Sequence, residues 1–260
     1  MKKNKMIINW EEKFENKLGL DESDYNKILS TINNEENKDN HNFKCISLDL
    51  PRTVSKEDRL KNPQFYSNLE EVLKVFCSSN GNLGYKSGMS FITKMILKLT
   101  DNNKIKTYII LKNIFENQNI KDLYNNNHKN IFDKYYLLFK EKMPTLFQHF
   151  EKNKIQSELF IISWLTSLFT FEFDENIAEY IFKIFIYKND FDIYIYSILS
   201  ILMIYENELL NKKGDEILPF CFSMKEVEFN KFIEKINNFL YNPIFVKLRY
   251  ISINIRFIFT

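Results

Sequence analysis

Glycine and cysteine are both scarce in this 260-residue chain, with five of the first and three of the second. Cys45, Cys77 and Cys221 are odd in number and widely separated. They are read as unaccompanied by a nearby histidine, which argues against both a disulfide framework and a zinc site. A reducing compartment fits that usage. Charge of one sign is also lacking: 36 basic residues stand against 34 acidic ones, for a net +2. No strong field therefore draws the chain to nucleic acid or to an anionic membrane. Long apolar runs are missing too. The longest uncharged ones, Leu159 to Phe171 and Ile193 to Tyr205, have 13 residues each, short of the roughly 20 that a spanning helix needs. Both are expected to be buried core helices. The opening stretch MKKNKMIINWEEKF has no adequate apolar region and no small-residue cleavage site, so it is not expected to act as a secretory signal.

What is present is a core-forming composition, 45% hydrophobic, distributed at helical spacing. Leu69, Val72, Leu73 and Phe76 form one stripe; Met89, Ile92, Ile96 and Leu99 form a second. Ile161, Trp164, Leu165 and Leu168 continue the pattern, as do Ile198, Ile201, Leu202, Tyr205 and Leu209. Ser223 and Glu226 have the spacing of a capping box ahead of one more amphipathic helix. Asparagine-rich segments at Ser30 to Asn42 and Asn125 to Asn130 are too polar to pack and are expected to be loops. Strict alternation is rare and is clearest in the terminal YISINIRFIF. The expected fold is mostly or wholly helical, an all-α class, with no internal repeat.

Three of the five glycines fall within GNLGYKSGMS, Gly81 to Ser90, between the first two stripes. The glycines at 81, 84 and 88 fit neither the Walker loop nor GxGxxG, so a phosphate cradle is set aside. On its own the stretch reads as a helix–helix turn in which glycine permits tight backbone geometry. Likewise Arg52, following Pro51 at the edge of a polar segment, reads by itself as a solvated surface arginine. No nucleophile, base and orienter arrangement is evident, and His41, His128 and His149 receive no role.

ISLDLPRT, Ile46 to Thr53, and the downstream GYKSGM change those readings together. Ile46, Asp49 and Arg52 match the pattern I-x-x-D-x-x-R. Gly84, Tyr85, Gly88 and Met89 match G-Y-x-Q-G-M, with Ser87 where glutamine would stand. The pair, in this order, resembles the signature motifs of TBC domains, the all-helical modules that activate Rab GTPases. Trp10, Gly19, Leu20 and Tyr25 look like that family's opening helix; Pro144, Trp164 and the Leu168–Phe169 pair look like its third block. Departures are Met6 for an arginine, Val54–Ser55 for Phe-Pro and Phe182–Lys183 for Trp-Asp. The chain is thus similar to a divergent TBC domain, read as one unit over residues 1–240 with a C-terminal extension at 241–260.

The resemblance implies a chemistry. GTP hydrolysis needs charge on the transferring phosphoryl group neutralised and an attacking water held in line. TBC domains are expected to supply an arginine finger for the first and a glutamine finger for the second. Arg52 suits the first role, being always charged and forked for phosphate oxygens. Ser87 does not suit the second: its hydroxyl lies one bond beyond Cβ where a glutamine amide lies three beyond, at about 1.5 Å per bond. Lys86 has no acceptor to offer instead. Asp49 either orients Arg52 or caps a helix, and Tyr85 is read as a packing aromatic. The implied partner is a GTP-loaded Rab-type GTPase, which would itself hold GTP and Mg, leaving this chain with no cofactor or metal of its own. Two functions stay open: a weakened activator working through Arg52, or a silent Rab-binding or scaffolding module in vesicle trafficking. A helical protein with no GTPase partner is a third. The implied location is the cytoplasm, with recruitment to endomembranes through the Rab.

Overall fold

The computed structural model describes residues 10–32 and 40–241, and among these it contains fifteen α-helices and no strand. The terminal YISINIRFIF, Met6 and most of the first asparagine-rich segment lie outside the described residues.

Four asparagines start helices here, at positions 40, 62, 103 and 117. α1 is Glu22–Ile32 and α2 is His41–Thr53, the latter begun by Asn40, whose side chain accepts from the Asn42 amide. α3, Lys56–Lys61, is capped by Ser55, and α4, Pro63–Ser79, by Asn62 with Pro63 in its first turn. α5 is Met89–Leu99; α6, Lys104–Phe115, and α7, Gln118–Tyr124, are capped by Asn103 and Asn117. An uncapped N-terminus leaves backbone amides without partners, and a short side-chain acceptor supplies one, which stabilises a helix by about 1 kcal/mol. The polar segments are therefore shorter loops than composition alone indicates. Ser30 to Ile32 end α1, and His41 and Asn42 open α2.

α8, Lys129–Lys142, follows the second asparagine-rich segment, where Asn126 takes a left-handed φ of 58°. α9 is Pro144–Lys152, α10 Glu158–Thr166 and α11 Glu175–Lys188. α12 is Asp192–Ile204, α13 Glu206–Asn211, α14 Ile217–Ser223 and α15 Phe229–Leu240. Two of these helices organise the core. α4 packs against α1, α2, α5 and α6, while α12 packs against α8, α11, α13 and α15. Every residue of α12 from Ile193 to Leu202 is buried, and burying each such apolar side chain contributes about 1.5–3 kcal/mol. The run Ile193–Tyr205 thus lies almost wholly in a core helix, whereas only Leu159–Thr166 of the other run is helical, with Leu159 and Phe171 exposed at its ends. Among the described residues no helix is long and apolar enough to cross a membrane.

Three expectations need correction. Trp10, Gly19, Leu20 and Tyr25 do not share an opening helix. Trp10 precedes a 3-10 turn at Glu11–Lys13, Gly19 sits in a turn at φ 62°, and Tyr25 lies in α1. Trp10 is instead buried edge-on against Phe182 of α11, their ring centroids 6.1 Å apart. Ser223 does not cap α15: it ends α14, where its hydroxyl donates to the Phe220 carbonyl, and α15 starts at Phe229 without a side-chain cap. The stripe through Leu168 leaves the helix, because α10 stops at Thr166 and both Leu168 and Phe169 have positive φ, 47° and 68°. The Phe169 amide reaches back to the Trp164 carbonyl at 2.7 Å, closing the helix end. Both left-handed residues are completely buried, which offsets a backbone penalty of about 1–2 kcal/mol each.

Candidate functional site

Arg52 stands in the last turn of α2. Its neighbour Pro51 offers no amide to the helical ladder, and α2 ends one residue after Arg52, at Thr53. Ile46, Leu50 and Thr53 are buried on the inner face, so the register of the helix turns Arg52 outward, its side chain 54% exposed. The Asp49 carboxylate, one turn back, pairs with the guanidinium at 2.7 Å. Asp49 therefore holds Arg52 and does not cap a helix.

The glycine turn joins α4 to α5, and the stripes on both sides of it are buried except for Leu99, which is half-buried. Two of its glycines are required by close approach. A Cβ on Gly84, at φ 59°, would come 2.7 Å from Asn42 Oδ1; one on Gly88, at φ 97°, would come 2.6 Å from the Thr166 carbonyl oxygen. Seating the turn this closely brings three contacts to α2. The Tyr85 amide donates to Asn42 Oδ1 at 2.9 Å, the Tyr85 hydroxyl donates to Asp49 Oδ2 at 2.8 Å, and Arg52 donates to Ser87 Oγ at 3.0 Å. Tyr85 both packs and bonds. Burial pushes its phenol above the ordinary value; Ser90 opposes this and the Asp49 carboxylate reinforces it. At neutral pH the phenol is a donor, as the Asp49 bond requires.

All seven residues singled out by sequence thus meet in one place: Ile46 in the core beneath, Gly84 and Gly88 shaping the turn, Tyr85 and Asp49 linked behind, Arg52 and Ser87 exposed in front. Asn42 escaped the sequence reading because it sits in a segment that looks like loop. Its one legible sign is a position at the start of a helix, two residues after another asparagine. The departures at 54 and 55 are absorbed: Val54 is buried and Ser55 caps α3. At the third departure, Phe182 meets Trp10 while Lys183 pairs with Glu179 on the surface.

One further correction concerns Cys45. Residues four apart on a helix share a face, and α2 brings His41 Nε2 to 3.5 Å from Cys45 Sγ. Among the described residues no group of three or more His, Cys, Asp or Glu could hold a metal ion.

The fold and this cluster define an all-helical domain that holds an exposed arginine against the serine of a glycine-shaped turn. The Rab-GTPase-TBC domain model matches residues 5–210, and the chain belongs to that family. It is 26% identical over 181 residues to the Rab GTPase-activating protein eat-17 of Caenorhabditis elegans, covering 68% of this chain and 20% of that protein. It is 23% identical over 197 residues to the GTPase-activating protein GYP5 of Saccharomyces cerevisiae, covering 72% and 20%. This chain thus spans about a fifth of the length of these relatives. Among solved structures it superposes on the Chlamydomonas flagellar RabGAP TBC domain with a TM-score of 0.76 at 19% identity, over 90% of this chain and 78% of that one. On the Ypt/Rab-GAP domain of Gyp1p the TM-score is 0.67 at 14% identity, over 83% and 77%.

Proposed function

We propose that the chain binds a GTP-loaded Rab-type GTPase and stimulates its GTP hydrolysis through Arg52 alone. The observation that carries this reading is the pre-oriented guanidinium: exposed at the end of α2, yet fixed from behind by Asp49 at 2.7 Å. A guanidinium placed in advance stabilises charge as it develops on the transferring phosphoryl group without reorganising at that moment. Family membership and the GTPase-activating relatives support a Rab as partner. GTP and Mg belong to the partner, so this chain needs neither. Any attachment to endomembranes runs through the Rab, and the chain itself works in the cytoplasm.

Ser87 favours weak activation. Its hydroxyl is occupied by Arg52 at 3.0 Å and ends two bonds short of a glutamine amide, about 3 Å of reach. The Rab's own glutamine then has to orient the water. The same feature favours a second reading, a silent Rab-binding or scaffolding module, in which Arg52 is retained but never completes a transition state.

Single-turnover GTP hydrolysis across a panel of Rabs, with this protein in excess, separates the two. Activation by the wild type should fall by most of its extent in Arg52→Ala, since an arginine finger is worth roughly 10³–10⁵ in rate. Arg52→Lys should restore little, because a point charge cannot make the forked contact. Undiminished activation by Arg52→Ala would sink the assignment. Binding without any acceleration would establish the silent module.

A further inference from the structure

We propose that Lys94 is a positioning residue for Arg52, a charged strut that fixes the end of α2 against α5. Thr53 closes α2 directly after Arg52, and its carbonyl is one of those that a helix end leaves without an intrahelical partner. Lys94 Nζ donates to that carbonyl at 3.0 Å. An ammonium at this position also meets the negative end of the helix dipole. The strut is built into a network. The Thr53 hydroxyl is hydrogen-bonded to the Ser90 hydroxyl at 2.7 Å inside the core, and donates to the Asp49 carbonyl at 2.9 Å.

Lys94 lies one turn beyond Ser90 on α5, the helix that the Ser87 turn feeds. The chain therefore passes from Ser87 through Ser90 and Lys94 to Thr53, and from there one residue back to Arg52. Swinging the end of α2 outward would break the Lys94 and Ser90 bonds together. Half-burying a lysine disfavours its charged form. Burial lowers the Lys94 pKa, as does the charge of Lys98 on the same helix, while Glu175 of α11 and Asp58 of α3 raise it. Surface solvation of a helix end needs no such arrangement. A lysine kept half-buried against one carbonyl is explained by the geometry it holds.

The inference rests on the reading of Arg52 as the working arginine, and its test separates the two. Hydrogen exchange across residues 50–56 reads the strut in the free protein, with no GTPase present. In Lys94→Met the amides at the end of α2 should exchange about tenfold faster; in Lys94→Arg, which keeps the charge and the donor, they should exchange nearly as in the wild type. In single-turnover assays at saturating protein, Lys94→Met should lower the maximal rate about ten- to a hundredfold through misplacement of the guanidinium. Affinity for the GTP-loaded partner should stay within about twofold of the wild type, and Lys94→Arg should recover most of the rate. Unchanged exchange and unchanged rate in Lys94→Met would overturn the proposal. So would equal losses in the Met and Arg variants that merely follow their melting temperatures. Faster exchange in Lys94→Met, with no GTPase activated by the wild type, would support the strut and remove the activating function instead.

Discussion

Replacing Gly88 by alanine tests why the glycine turn is where it is. Gly88 precedes α5 at φ 97°, and an added Cβ would stand 2.6 Å from the Thr166 carbonyl oxygen and 3.2 Å from its carbon. Neither neighbour yields easily. The carbonyl accepts a bond from the buried Tyr124 hydroxyl, and α10 ends there in the left-handed pair Leu168–Phe169. The backbone term alone is about 1–2 kcal/mol for an alanine forced to positive φ. The contact adds an overpacking term of about 1–3 kcal/mol. The sum, about 2–5 kcal/mol, corresponds to a fall in melting temperature of about 4–20 °C for a domain near this size. Gly81 provides the control, because it also has positive φ, 56°, yet an added Cβ there would meet nothing within 4 Å. Gly81→Ala should show only the backbone term, a fall of about 2–8 °C. Thermal unfolding by circular dichroism of both variants beside the wild type measures the difference. If the two variants melt together, the contact with Thr166 does not constrain the turn.

Two further outcomes follow from the site and the core. Ser87→Gln should raise stimulated hydrolysis about ten- to a thousandfold, the range for restoring one well-placed catalytic group, and should make the rate nearly independent of the Rab's own glutamine. A Ser87→Gln protein that folds, binds and still gives no acceleration would turn the assignment to the silent module. Burial pushes the Cys77 and Cys221 thiols up to about 12, so at pH 8 only about one part in ten thousand of each is thiolate. A disulfide reagent should therefore label Cys45 alone in the folded protein and all three thiols in denaturant; rapid labelling of three thiols without denaturant would contradict the described burial.

The helical character of this chain could be read from apolar spacing, because a helix buries one face and the spacing records which. The stripes before and after the glycine turn lie in α4 and α5, one uncharged run lies almost wholly in α12, and the first eight residues of the other lie in α10. The residues of the candidate cluster could be named in sequence as well, and the structure brings Asp49, Arg52, Tyr85 and Ser87 into contact. Helix ends were less legible. A serine three residues before a glutamate reads as a start, yet Ser223 closes α14, because a hydroxyl can serve the carbonyl behind it as well as the amide ahead. Asn40 reads as loop and caps α2, and Asn62, Asn103 and Asn117, which draw no reading, cap helices as well.

What sequence alone determined is the residue set: an arginine in I-x-x-D-x-x-R, a glycine turn with serine at its tip, and enough apolar surface to bury both behind. What only the tertiary structure decided is how that set is held. Asp49 could have been a cap or a support, and contact with Arg52 and Tyr85 makes it a support. Gly88 needs to be glycine because of Thr166, 78 positions away in the chain. The contacts of Lys94 and Asn42 have no local signature, since each acts on a backbone or turn that lies dozens of residues distant. Short-range spacing records the face a helix buries. It holds no record of which distant carbonyl a lysine will meet, because that depends on how α2, α5 and α10 pack together.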